Sequence, residues 1–86
     1  MNTQNNTPTK EAHISDFGLV AALVTSGFGI QRTERIGNRV FFIFGKDDDF
    51  TKSIDDYWAG MLRVYARQYF DNTKMLKNLI YSEGLK

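Results

Sequence analysis

The sequence predicts an α+β fold in which a small antiparallel β-hairpin sheet packs against three helices, in the order β-α-β-β-α-α. Two segments with strand-like alternation, 30–35 and 39–45, flank a Gly-Asn pair and predict the hairpin. A continuous apolar segment at 17–25 and two later segments with apolar residues every three or four positions predict the helices. A short strand at the start of the domain completes the pattern.

The chain of 86 residues has the length of one domain, which we place at residues 12–83. Residues 1–11 have no large apolar side chain apart from Met1, so ordering them would cost backbone entropy without burying surface. We interpret them as a disordered tail. The chain has no Cys, which excludes disulfides, thiolate nucleophiles and most structural zinc sites.

The first strand and the first helix are predicted around a capping residue. His13 and Ile14 would form the strand, and Ser15 or Asp16 would cap the helix at 17–25 by accepting a bond from a free backbone N–H group. This helix is apolar nearly all round, which indicates that it is covered on more than one side. A Ser-Gly pair follows and would end it.

The two hairpin strands differ in which faces they can bury. The strand at 39–45 has apolar residues on both faces, with Val40, Phe42 and Phe44 on one and Phe41 and Ile43 on the other. This pattern predicts a central strand. The strand at 30–35 carries charged and polar residues after Ile30, as expected of an edge strand that charge protects from further pairing.

The second helix is predicted to begin at the acidic run 47–49, where negative charge is favoured by the helix dipole. Phe50, Ile54, Tyr57 and Trp58 follow at helical spacing. We predict that Trp58 anchors the core, and a ligand-stacking role for its ring is the alternative. Gly60 would end this helix.

The last helix is predicted at about residues 65–82. Its core stripe would consist of Tyr69, Thr73, Leu76 and Ile80, with Tyr65 or Ala66 at its start.

The sequence contains no recognisable catalytic apparatus. The run at 47–49 lacks the ligand spacing of a calcium loop, and a helix cap explains it more simply than a metal site. His13 is the only histidine, and no orienting partner for it can be identified. The Gly-Phe-Gly segment at 27–29 lacks the third glycine of a phosphate-binding loop. We therefore predict a non-enzymatic protein with no metal and no cofactor.

Apolar segments and net charge limit the partners. The longest apolar stretch is shorter than the roughly 20 residues of a membrane helix, and the polar start lacks the apolar centre of a signal peptide. We predict a cytoplasmic protein with no membrane partner. The formal net charge of +1 is lower than that of a typical nucleic-acid binder, so any such role depends on where the charges lie.

The last helix carries the most informative pattern. At about 100° per residue, five side chains fall within about 80° of its circumference: Arg67, Phe70, Lys74, Lys77 and Tyr81. We call these five side chains the basic-aromatic face, and Arg63 would extend the stripe as a further binding residue if the helix began earlier. Cations hold phosphates and rings stack on unpaired bases, so this face favours nucleic acid. The alternative is a solvated flank whose cationic stems cover the edge of the core, with Phe70 and Tyr81 completing that core.

Six segments of the chain carry a family resemblance: His-Ile-Ser-Asp at 13–16, Ala-Ala-Leu at 21–23, Arg-Val-Phe-Phe-Ile-Phe at 39–44, Tyr-Trp-Ala-Gly at 57–60, Arg-Val-Tyr-Ala-Arg-Gln-Tyr-Phe at 63–70 and Lys-Met-Leu-Lys at 74–77. In this combination the chain resembles an uncharacterised family of short domains, domain of unknown function 5659. The resemblance implies a setting in phages, plasmids or small-genome bacteria, and it implies no activity. An acidic residue is expected after Val64, where this chain has Tyr65.

We predict a small binding module of mobile-element origin, with nucleic acid as the leading partner through the basic-aromatic face. The alternative partner is a protein: the chain would be an accessory or inhibitor that occludes a host or phage protein, through Phe70 and Tyr81 or through the edge strand at 30–35. An exposed hydrophobic surface would also favour a homodimer.

Overall fold

The computed structural model describes residues 10–82, which form three strands and three helices in the predicted order. The strands are β1 (Lys10–Ile14), β2 (Ile30–Ile36) and β3 (Arg39–Lys46), and the helices are α1 (Phe17–Thr25), α2 (Asp48–Trp58) and α3 (Ala66–Ser82). The strands pair antiparallel in the order β1-β3-β2. The predicted α+β fold is therefore confirmed, and the short first strand completes the sheet.

The central strand β3 determines how the sheet is covered. Its residues Val40, Phe42 and Phe44 are buried in the main hydrophobic cluster together with residues of all three helices. The hairpin to β2 closes through Gly37, whose φ of 62° favours glycine, and Ile36 pairs with Arg39. As predicted, β3 is central and β2 lies at an edge.

The other face of the sheet carries an ion-pair network. The Arg32 guanidinium on β2 donates two hydrogen bonds to the Glu11 carboxylate on β1 at 2.8 and 3.0 Å, and it also bonds Glu34 at 2.8 Å. Arg32 and His13 are both register partners of Ile43 on β3, so this polar layer flanks a fully buried isoleucine. The bonds from Arg32 lower the pKa of Glu11, and those to Glu11 and Glu34 raise the pKa of Arg32.

Strand β1 begins earlier than the sequence indicates. Lys10 and Glu11 pair with Lys46 and Gly45 of β3, so the domain boundary predicted at residue 12 lies two residues inside the strand. Backbone pairing and the ion pair between Glu11 and Arg32 order these residues although they bury little apolar surface. Residues 1–9 of the predicted tail, and residue 83 at the predicted end of the domain, lie outside the described residues.

Helix α1 lies at the centre of the helical layer. The Asp16 carboxylate caps it by accepting a 2.9 Å bond from the Leu19 amide, which selects one of the two predicted caps. The five residues 19–23 are all buried, and α1 contacts both α2 and α3. Asn72 of α3 donates a 2.9 Å bond to the Thr25 hydroxyl, which ties α3 to the end of α1.

Helix α2 is anchored by Phe50 and not by its tryptophan. The Asp47 carboxylate caps the helix through the Phe50 amide at 2.8 Å, and the Phe50 ring is completely buried with its centroid 5.3 Å from those of Phe28 and Phe44. Trp58 is 63% exposed, so the prediction that it anchors the core is wrong. The apolar stripe is already complete with Phe50, Ile54 and Tyr57, and Trp58 is turned about 100° away from Tyr57.

Helix α3 packs on α1 through a stripe that begins one turn later than predicted. Leu76 is fully buried, and Tyr69 and Ile80 pack against the same cluster together with Leu79. Tyr65 is 76% exposed and Ala66 is also exposed, so neither belongs to the core stripe. Tyr65 precedes the helix, and its carbonyl accepts a hydrogen bond from the Tyr69 amide in the first turn of α3.

Glycine 18 allows close packing where the three helices meet. A methyl group at Gly18 would lie 2.7 Å from the Tyr57 hydroxyl and 3.5 Å from that of Tyr69. Partial burial of the Tyr57 side chain raises its pKa, and the negative charge of Asp16 raises it further.

The Tyr57 hydroxyl leaves too little room for a methyl group at Gly18. We therefore expect Gly18→Ala to lower the free energy of unfolding by about 1 to 3 kcal/mol in urea denaturation, although alanine is the better helix former.

The control for this substitution is the same change in a Tyr57→Phe background, which lacks the obstructing hydroxyl. There Gly18→Ala should cost clearly less free energy of unfolding. An equal loss in both backgrounds would contradict the packing role of Gly18.

Phe50 and Trp58 of α2 should differ in their contribution to stability. Phe50→Ala removes a completely buried ring, and we expect it to lower the free energy of unfolding by about 3 to 5 kcal/mol. Trp58→Ala removes a ring whose edge contact with Tyr57 is at a centroid distance of 5.0 Å, and it should cost no more than about 1 kcal/mol. Chemical denaturation of both variants measures the difference, and similar losses would show that Trp58 is a core residue.

Candidate nucleic-acid interface

The basic-aromatic face of α3 points away from the core. Its helical positions are centred about 140° around the helix from the buried Leu76. Phe70 and Tyr81 are 54% and 57% exposed, and neither ring belongs to the hydrophobic cluster. These two rings therefore do not complete the core, whereas the solvated flank formed by the cationic side chains stays the alternative to a binding surface.

Phe70 and Lys74 form a cation–π pair on this face. They are one turn apart on α3, and the Lys74 ammonium lies 4.6 Å from the centroid of the Phe70 ring. A cation at this distance is attracted by the negative face of the ring. The contact places a positive charge next to an exposed aromatic surface, which is the combination that a phosphate with a neighbouring unpaired base requires.

Arg67 lies close to one carboxylate but stays accessible to other anions. Its Nε lies 3.5 Å from an Asp71 carboxylate oxygen, and both side chains are mostly exposed. An exposed pair at this distance, four residues apart on a helix, contributes little free energy and is easily exchanged for another anion. Lys77 is exposed on the same face, so the three cations of α3 are accessible to solvent.

Charge is segregated between α2 and the segment that contains α3. Residues 47–58 carry five Asp against the single cation Lys52, whereas residues 63–82 carry four cations against the single carboxylate Asp71. The low net charge of the chain therefore hides a basic surface and an acidic one. Opposite potentials on two helices orient a polyanion toward α3 and away from α2.

Arg63 does not lie on α3, because the helix begins at Ala66. It belongs to the segment that leads into the helix, and it lines an open cleft of about 460 Å³. The cleft lies between this segment and the end of α1, and we call it the α1–α3 cleft. Its lining residues are Thr25, Ser26, Arg63, Val64 and Tyr65. Arg63 thus adjoins the basic-aromatic face without continuing its helical stripe.

Three exposed apolar or aromatic side chains near the start of α3 were not predicted as surface residues: Trp58, Met61 and Tyr65. Trp58 was assigned to the core because it fits helical spacing. For Tyr65 the sequence offers one signal, since the resemblance leads us to expect an acidic residue after Val64 and this chain has a tyrosine there.

Metal-ligating clusters and membrane-spanning helices are absent from the described residues. Within 10–82 no group of three or more His, Asp or Glu side chains could hold a metal ion. In the acidic run Asp47 caps α2 through the Phe50 amide, while Asp48 and Asp49 form its first turn. No helix in this part of the chain has the length and apolarity needed to cross a membrane.

Comparison with known proteins identifies the family but no function. No curated protein and no solved structure matches the chain. The family model described as a domain of unknown function, number 5659, matches residues 9–82, which include all six elements of the fold. The chain therefore belongs to the family of domain of unknown function 5659.

Proposed function

We propose that this domain is a non-enzymatic binding module that holds nucleic acid on the basic-aromatic face of α3. The observation that carries the proposal is the exposure of Phe70 and Tyr81 on the same helix face as three accessible cations. Large rings that are more than half exposed contribute little to folding, whereas they provide stacking surfaces for unpaired bases.

The arrangement of charge supports the same function. Phosphate contacts supply most of the affinity of sequence-independent binding, and they require several cations within reach of one backbone. Arg67, Lys74 and Lys77 follow one another along about three turns of α3, with Arg63 just before its start. The acidic helix α2 limits binding to this side of the molecule.

A second candidate function is protein binding, which the exposed side chains before α3 favour. Trp58 and Met61 are 63% and 70% exposed, and neither lies on the basic-aromatic face. Aromatic residues and methionine are enriched in protein interfaces. In this alternative the domain is an accessory or inhibitor that occludes a host or phage protein, and its exposed apolar side chains would also allow a homodimer.

The proposal includes a biological setting. In this proposal the domain originates from a phage, a plasmid or a small-genome bacterium, as the resemblance implies, and it acts in the cytoplasm, where nucleic acid of a mobile element is accessible. Small modules of this kind act by occupying a surface, so the proposal requires no catalytic step.

Salt dependence tests the electrostatic part of the proposal. If Arg63, Arg67, Lys74 and Lys77 each contact a phosphate, log affinity against log salt should have a slope of about −2.8 on single strands and about −3.6 on duplex. Lys77→Gln should reduce the single-strand slope by about 0.7, because one contact is lost. Fluorescence anisotropy with a labelled oligonucleotide measures both values.

The matched control is Lys52→Gln, which removes the same charge from the acidic helix α2, where Lys52 pairs with Asp56 at 3.0 Å. This variant should bind with an unchanged slope. Equal effects of the two substitutions would show that net charge, and not the position of the cation, determines binding. Absence of binding to any single strand or duplex at about 50 mM salt would overturn the proposal in favour of a protein partner.

Phe70 tests the stacking part of the proposal. Phe70→Ala should weaken single-strand binding by about 1 to 3 kcal/mol and leave the salt slope unchanged, since a ring contributes no counterion release. Phe70→Tyr keeps the ring and should bind as the parent does. Anisotropy measures the affinities, and circular dichroism verifies that both variants are folded. If Phe70→Ala binds single strands as tightly as the parent, the ring is not a stacking surface.

A further inference from the structure

The α1–α3 cleft lies directly before the basic-aromatic face and has a chemistry of its own. Its volume of about 460 Å³ is within the range of small-molecule sites in proteins, about 300 to 1,000 Å³. Arg63, Val64 and Tyr65 form one side, and the end of α1 forms the other. Arg67 does not line the cleft, but it lies in the first turn of α3, two residues after Tyr65, and is the first cation of the helix.

The segment before α3 supplies an aromatic wall and a positive charge. The Tyr65 side chain is 76% exposed, and among the described residues its ring packs against no other aromatic ring. Val64 between Arg63 and Tyr65 is half-buried and adds an apolar surface. This side of the cleft suits a planar ring that is attached to an anion.

The end of α1 supplies hydrogen-bond acceptors. The carbonyls of Ala22, Leu23 and Val24 already accept bonds from backbone amides that follow the helix. The carbonyls of Thr25 and Ser26 accept none from the backbone of residues 10–82. The C-terminal end of a helix carries partial negative charge, which disfavours a bare anion and favours a group with N–H donors.

We infer that the α1–α3 cleft binds one nucleotide whose base is unpaired, a specificity that rests on the proposed function and adds to it a preference for single strands. The base stacks on Tyr65 and directs its N–H donors toward the carbonyl end of α1. Arg63 holds the phosphate of this nucleotide, and Arg67 holds the next phosphate along the strand. A base that is paired within a duplex presents neither its faces nor its pairing edge, so duplex does not enter the cleft.

The test compares Tyr65→Ala with Tyr65→Phe on a labelled single strand and on a duplex of the same sequence. Tyr65→Ala should weaken single-strand binding by about 5- to 150-fold, because one stacking surface is lost. Tyr65→Phe keeps the ring and should bind as the parent does, and the affinity for duplex should be the same in all three proteins. The exposed position of Tyr65 allows both variants to fold, which circular dichroism verifies.

A free nucleotide shares this chemistry, so calorimetric titration with AMP forms the second arm. Single-strand affinity that is unchanged in Tyr65→Ala overturns the cleft inference and leaves binding on α3 intact. AMP binding that depends on Tyr65, without binding of any oligonucleotide, supports the cleft and overturns the proposed function. Absence of binding to both oligonucleotide and AMP overturns both.

Discussion

The burial of α1 on several sides is the constraint on which the rest of the structure depends. This helix is apolar nearly all round, and its five residues 19–23 are all buried. It contacts α2 and α3, and four of the five belong to the hydrophobic cluster that includes the inward face of β3. A domain of 86 residues buries only somewhat more than about 60% of its unfolded surface. Each neighbouring element therefore packs its apolar stripe against α1 or against β3.

This constraint explains why one side of α3 is exposed. Once Leu76 and Tyr69 are directed at α1, the opposite side of the helix has no partner within the described domain. Phe70 and Tyr81 on that side are not needed for the core, which is already completed by Phe50. Their exposure leaves apolar surface in solvent without stabilising the fold, and this is the observation on which the proposed binding role depends.

Local chemistry made much of the fold predictable. The first helix begins and ends at the predicted residues. Its boundaries depend on neighbours in the sequence, namely the cap Asp16 and the terminating Gly27 with its φ of 105°. The start of β1 was missed because it depends on pairing with Lys46, which is distant in sequence. The prediction for Trp58 is wrong because Tyr57 and Trp58 both fit the helical spacing that starts at Phe50. Only tertiary contacts determine which of the two side chains packs against the core.

The candidate site was predictable only in part, for the same reason. The basic-aromatic face follows from helical spacing alone, and the structure adds that its rings are exposed. The α1–α3 cleft could not be predicted, since Ser26 and Tyr65 meet only through the packing of α3 on α1. Titration of ¹⁵N-labelled protein with a single-stranded oligonucleotide, followed by amide chemical shifts, tests the central claim most directly. The account predicts shift changes concentrated at residues 63–81 and nearly none in α2, and largest changes in α2 or on strand β2 would contradict it.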